Sequence, residues 1–225
     1  LRVNEWGVFR VPEGVDPDTL GKEDGERIAG DTEEGVYAAL GMAWVPPELR
    51  ENRGEVEAAL ERRLPDLVTL ENIRGDLHMH STWSDGKASV EEMARACLAR
   101  GYAYFALADH SQAMAMVGGL TAERARAQWE EIAEVQERVP GIRILRSCEV
   151  DILRDGSLDL PDEILAELDV VVVSVHTLLE MDKAAMTERV LRAVGHPLVD
   201  VLAHPTGRVL NRREPHAMDV DTVLA

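Results

Sequence analysis

No apolar run in the chain approaches the length needed to cross a bilayer. The first residues carry neither the apolar core of a signal peptide nor an initiator methionine. A soluble, cytoplasmic protein without a membrane partner is therefore expected. The sequence has only two cysteines, Cys97 and Cys148, both in apolar surroundings and neither in a CxxC pair. That usage suits a reducing compartment and makes both of them core residues. No Gly-x-Ser-x-Gly, Walker or dinucleotide-binding loop is present, so the chemistries those loops support do not compete. Fixed-length repeats and low-complexity tracts are absent as well. Positive charge is scarce, with 24 Lys and Arg against 42 Asp and Glu and a net charge of -18. A general positive field for nucleic acid is thereby excluded, although a local basic groove is not.

What is present is a globular composition, 225 residues with 45% hydrophobic content, enough for one large or two small domains. "LRVNEWGVFRVPEGVD" alternates through Val3, Trp6, Val8 and Val11 and predicts a small sheet. "DTEEGVYAALG" predicts a short helix capped by Asp31 or Thr32 and closed at Gly41. "PPELRENRGEVEAALERRLP" reads as a solvated linker helix. From about Ile73 the texture changes. Short apolar runs, "IRGDLHMH", "YFALADH", "IRILRSCEV", "DVVVVSVH" and "VDVLAHP", alternate with stretches of helical periodicity. This rhythm predicts a parallel α/β sheet, doubly wound or closed as a barrel. The chain opens inside a strand-like pattern at Leu1 and closes at Ala225 in an amphipathic stretch, so both ends are expected to be fragment ends.

Each strand candidate ends in a side chain able to hold a metal: His78 and His80, then His110, Glu149, His176 and His204. In parallel α/β folds the C-terminal strand ends converge on one face, so these six groups are expected to meet. His78 and His80, two apart on an extended strand, share a face and can grip one ion. Asp85, in the "SDG" turn after the first strand, joins the candidate ligands. Glu149 is the strand-end carboxylate best placed to bridge two ions. Asp109 and Asp151 should point away and hold ligands from behind. His196 and His216 read as surface histidines, and Met114 and Met116 as loop packing. The "DVD" at Asp219 to Asp221 reads as a helix cap. Arg208, Arg212 and Arg213 form a basic patch after His204 that either meets substrate phosphates or lies in a solvated loop. A set of imidazoles and carboxylates without thiolate suits Zn, Mn or Fe. The natural chemistry is metal-dependent phosphoester hydrolysis.

In order, "HMHSTWSDG", "ADHS", "CEVD", "SVH" and "AHPTGR" resemble the successive motifs of the PHP (polymerase and histidinol phosphatase) domain. "VNEWGVFRV" and "TEEGVYAALGMAWVPPELRENRGEVEAA" further resemble the C-terminal part of bacterial family X DNA polymerases. The resemblance implies a polymerase thumb end over residues 1–45, a linker over 46–72 and a PHP domain over 73–225. It implies a distorted seven-stranded (β/α) barrel, truncated at its C-terminal end, after a small α+β thumb remnant. By the same resemblance one ion takes His78, His80 and Glu149, a second Glu149, His176 and His204, and a third Asp85 and His110. His78, His80, Glu149 and His176 are then the catalytic set, with Mn or Zn as cofactor. The Asp-x-His motif that completes the first and third ions in the family is not found after His204, so the second site should be the best formed. Resemblance also implies a 3'-5' exonuclease or related 3'-end phosphoesterase of a bacterial DNA repair polymerase. Its partners are then DNA 3' ends and a polymerase domain in cis whose palm aspartates this chain lacks. A histidinol-phosphatase-like enzyme and a non-catalytic scaffold are the alternatives.

Overall fold

The computed structural model describes residues 1–16, 19–21 and 24–225. They divide into two compact units, Leu1–Val68 and Thr69–Ala225. In the first unit, β1 (Arg2–Asn4), β2 (Gly7–Arg10) and β3 (Glu26–Ala29) form an antiparallel sheet in chain order. Helix α1 (Glu33–Ala39) is capped by Thr32 rather than Asp31, its hydroxyl accepting from Gly35 N. The expected linker helix is not continuous. A 3-10 turn at Pro47–Leu49 ends before Asn52, which has a φ of 54°, and α2 is confined to Glu55–Leu60. The backbone at Asn52 leaves the right-handed region, so the helical hydrogen-bond ladder cannot run through it. Ala59 of α2 is buried, and its carbonyl accepts from Ala43 N.

The second unit contains all five expected strands: β4 (Gly75–Met79), β5 (Tyr104–Leu107), β6 (Arg143–Asp151), β7 (Val170–Ser174) and β8 (Val201–Leu202). They pair in parallel in the order β4-β5-β6-β7-β8. Between successive strands run α3 (Val90–Ala99), α4 (Ala122–Arg138), α5 (Asp162–Leu165) and α6 (Lys183–Val194), and α7 (Val220–Leu224) follows β8. The sheet is parallel because a helical crossover returns the chain to the same end before each new strand. Strands β5 and β7 are almost wholly apolar and buried, as strands covered on both faces are, whereas β6 lines up Ser147, Glu149 and Asp151 on one face. Phe105, Leu107, Cys148, Val150, Val171 and Val173 pack in the main core with residues of the helices, while Ala108, Val172 and Ala203 form a second, smaller cluster. Both cysteines are free and buried, as expected. The sheet is curled like part of a barrel, with five parallel strands among the described residues rather than seven.

Helix starts follow the side chains that precede them. Ser89 and Glu92 form a reciprocal capping box on α3, Thr121 caps α4 and Asp182 caps α6. Such caps contribute about 1 kcal/mol each. The "DVD" stretch behaves likewise, Asp219 accepting from Thr222 N at the start of α7. No helix among the described residues is long and apolar enough to cross a membrane.

Candidate metal centre

The C-terminal strand ends bring the six strand-end groups and Asp85 together. His78 lies in β4 and His80 just beyond it, with ring centroids 5.2 Å apart and planes inclined by 18°. The i, i+2 spacing turns both rings to one face, as an extended strand requires. Beyond them the chain doubles back, and Gly86 N donates to Ser81 O. A Cβ at Gly86 would stand 2.4 Å from His80 O, so only glycine lets the turn lie this close. The turn delivers Asp85 Oδ1 to 2.8 Å from His80 Nδ1. Asp85 Oδ2 is 3.5 Å from His110 Nε2.

Glu149, in β6, is the hub. It is only 2% exposed, yet five imidazoles surround its carboxylate. Oε2 lies 3.2 Å from His78 Nε2, 3.4 Å from His80 Nε2 and 3.0 Å from His110 Nδ1. Oε1 lies 3.3 Å from His176 Nε2 and 2.8 Å from His204 Nε2. The two oxygens thus face different histidine sets. His204 has a φ of 28°, outside the region usual for a non-glycine residue. Such backbone costs roughly 1–3 kcal/mol and concentrates at functional sites.

Burial disfavours ionisation of Glu149, but hydrogen bonds from His176, His204, His78 and His80 outweigh it and hold the carboxyl far below the usual range. Burial also opposes charge on His176, whereas Asp151 and Glu149 raise it to about 9. His80 is raised by Glu149 and Asp85 against the same burial. His110 goes the other way, lowered chiefly by burial. Its Nδ1 is buried and makes no hydrogen bond, although it sits 3.0 Å from Glu149. A neutral imidazole with a buried nitrogen lacking a donor or acceptor in hydrogen-bond geometry fits a ligand for a cation. Three groups have one donor atom per residue within 4.8 Å of one another: His78, His80 and Glu149; His80, Asp85 and His110; His110, Glu149 and His176. The donor set therefore fits borderline divalent ions.

Asp151 supports His176 directly, whereas the Asp109 carboxylate touches none of the seven groups and anchors the turn that carries Asp85. Asp151 Oδ1 accepts from His176 N at 3.1 Å and lies 3.2 Å from His176 Nδ1, leaving Nε2 toward Glu149. Asp109 is buried and accepts from Ser81 N, the Ser81 and Ser84 hydroxyls and Gln128 Nε2, which ties the turn carrying Asp85 to α4. Sequence reasoning missed Ser81 and Gln128. The signal for Gln128 was an amide on the α4 stripe that also buries Ala125, Trp129 and Ile132.

Other expected residues fall elsewhere. Arg208 and Arg212 are exposed and form no ion pair among the described residues, while Arg213 Nε donates to Gly207 O at 2.7 Å. His196 is half-buried and 3.4 Å from Asp162. His216 is not a surface histidine: it is half-buried with both ring nitrogens shielded, and burial lowers its pKa. Met116 does not pack in its loop but is 99% exposed, whereas Met114 is partly buried. The difference arises because residues 115–117 form a 3-10 turn that throws Met116 outward.

A curled parallel sheet with imidazoles and carboxylates crowded at its strand ends defines a metal-dependent α/β domain. The chain belongs to the PHP domain family, whose model matches residues 76–212, and residues 1–51 match the DNA polymerase beta thumb. It is 41% identical over 223 residues, 99% of the chain, to the DNA polymerase/3'-5' exonuclease PolX of Bacillus subtilis, of which it covers 37%. A probable phosphatase of Thermoanaerobacter sp. is 29% identical over 66% of the chain and 58% of that protein. A probable phosphatase of Acetivibrio thermocellus is 35% identical over 58% of the chain and 53% of that protein. The chain thus spans less than two thirds of the length of each of these relatives.

Proposed function

We propose that this chain is a phosphoesterase module that hydrolyses phosphodiesters at DNA 3' ends, as the 3'-5' exonuclease part of a cytoplasmic, bacterial DNA repair polymerase. The observation that carries this reading is the buried Glu149 carboxylate with five imidazoles around it. Similarity to the Bacillus protein over nearly the whole chain supports DNA as the substrate. Residues 1–45 are then a thumb end, 46–72 a linker and 73–225 the PHP domain, with the five strands belonging to a seven-stranded barrel.

His78, His80 and Glu149 would hold one ion, Glu149, His176 and His204 a second, and Asp85 with His110 a third, as Mn or Zn. Such ions, when bound, supply an activated water and an electrophile for in-line displacement at phosphorus. The chain's own residues set the stage for that chemistry. Glu149 stays ionised through its imidazole neighbours, and Asp151 keeps His176 Nε2 turned inward. Exposed Arg208 and Arg212, with the remaining nitrogens of Arg213, would meet the phosphates of the DNA end.

A small-molecule phosphatase is the second reading, favoured by the net charge of -18 and by relatives named probable phosphatases. The deciding assay offers 3'-labelled single-stranded DNA or histidinol phosphate with Mn(II) to the intact chain and to a His78→Ala, His80→Ala variant. Shortening of DNA by the intact chain, abolished in the variant, is expected. Preferential release of phosphate from histidinol phosphate would select the second reading. Turnover of neither would make the domain a scaffold.

A further inference from the structure

Arg189 of α6 is only 2% exposed and forms no ion pair among the described residues, although the charge of Asp151 acts on it. An unpaired buried cation is costly unless its donors are all engaged. Here three of its nitrogens each donate to a backbone carbonyl, and Nη1 also lies 3.6 Å from Met181 Sδ. Nε donates to Leu153 O at 2.9 Å, Nη2 donates to Ile152 O, and Nη1 donates to Thr177 O at 2.9 Å. Ile152 and Leu153 directly follow Asp151, and Thr177 directly follows His176. One planar fork therefore grips the backbone just beyond both members of the Asp151–His176 pair.

Two independent features meet at the same place. The residue after Thr177 is Leu178, whose φ of 55° is unfavourable for a leucine and needs its surroundings to hold it. On the other side, the turn after β6 lies directly on α6. Gly156 has a φ of 84°, and a Cβ there would stand 2.7 Å from Arg189 O. Both loops are thus shaped to let the helix reach them.

We propose that Arg189 is a positioning residue for the metal centre, clamping the loops after β6 and β7 so that Asp151 and His176 keep the alignment that turns His176 Nε2 toward Glu149. This rests on the metal-centre reading above. Arginine suits the task because its five donors sit in a rigid plane, whereas a lysine can offer only a point charge.

The test titrates the 225-residue chain with Co(II), following stoichiometry and the visible absorption of the bound ion, beside Arg189→Met, Arg189→Lys and His176→Ala. The ring 15N signals of His176 are recorded before and after loading. Arg189→Met is expected to lose the same share of cobalt as His176→Ala, with about 10–100-fold weaker binding of that ion. It should also lose the His176 signal pattern of a ring hydrogen-bonded to Asp151. Arg189→Lys should restore part of both. Folded variants with unchanged cobalt binding and unchanged His176 signals would overturn the proposal. Unfolding of both variants would also overturn it, assigning Arg189 to general stability. Failure of the parent chain to bind cobalt would instead remove the metal-centre reading on which the proposal rests.

Discussion

Replacing Glu149 with glutamine keeps the shape of the side chain and removes the charge that five imidazoles converge upon. Glu149→Gln is expected to weaken Mn(II) uptake by more than the roughly 100-fold that loss of a group behind a ligand costs, as read by equilibrium dialysis. Conditions with pH matter at His176. Its pKa without an ion, about 9, lies above the ordinary 6.5. The proton on His176 therefore adds stability that is fully present below about pH 6.5 and fades as pH rises through about 9. A metal must displace that proton, so ion affinity moves the opposite way. Thermal melts in chelator should show this contribution shrinking from pH 6.5 to 9, while Mn(II) affinity rises over the same interval and levels off above it. At this scale the convergence of His78, His80, His110, Glu149, His176 and His204 was legible from sequence because each sits at the end of a recognisable apolar run. The half-buried state of His216 and the exposure of Met116 were not, since each depends on a local turn rather than on periodicity.

Strands β4 to β8 were legible as elements because apolar runs broken by helical patterns have few other solutions. Less legible were the devices that aim the loops between them. Asp109 joins Ser81 across 28 positions and Gln128 across 19, and no local pattern reports such pairings. Nor did charge density in the segment around residues 46–65 reveal the interruption at Asn52. Two changes probe this level. Gly86→Ala places a methyl 2.4 Å from the His80 carbonyl and forces the turn to move, with an expected loss of about 1–3 kcal/mol in urea unfolding and weaker Mn(II) binding through Asp85. Ser89→Ala removes only the cap of α3. It is expected to lower stability by about 1 kcal/mol and leave ion binding unchanged.

Across the whole chain, an acidic surface and a metal-dependent domain coexist with similarity to a DNA-processing enzyme. These agree if contact with DNA is local, through bound ions and the arginines after His204, rather than through a general field. The buried interior makes a further prediction. Burial pushes the thiols of Cys97 and Cys148 up, so both should resist thiol reagents in the folded chain and react together on unfolding. In the proposed function Glu149 would join two ions held by opposite histidine sets. Electron paramagnetic resonance of the chain loaded with Mn(II) tests it most directly. Two ions sharing the Glu149 carboxylate would give an exchange-coupled spectrum, which Glu149→Gln should abolish. A spectrum of isolated ions only, unchanged by Glu149→Gln, would contradict the account.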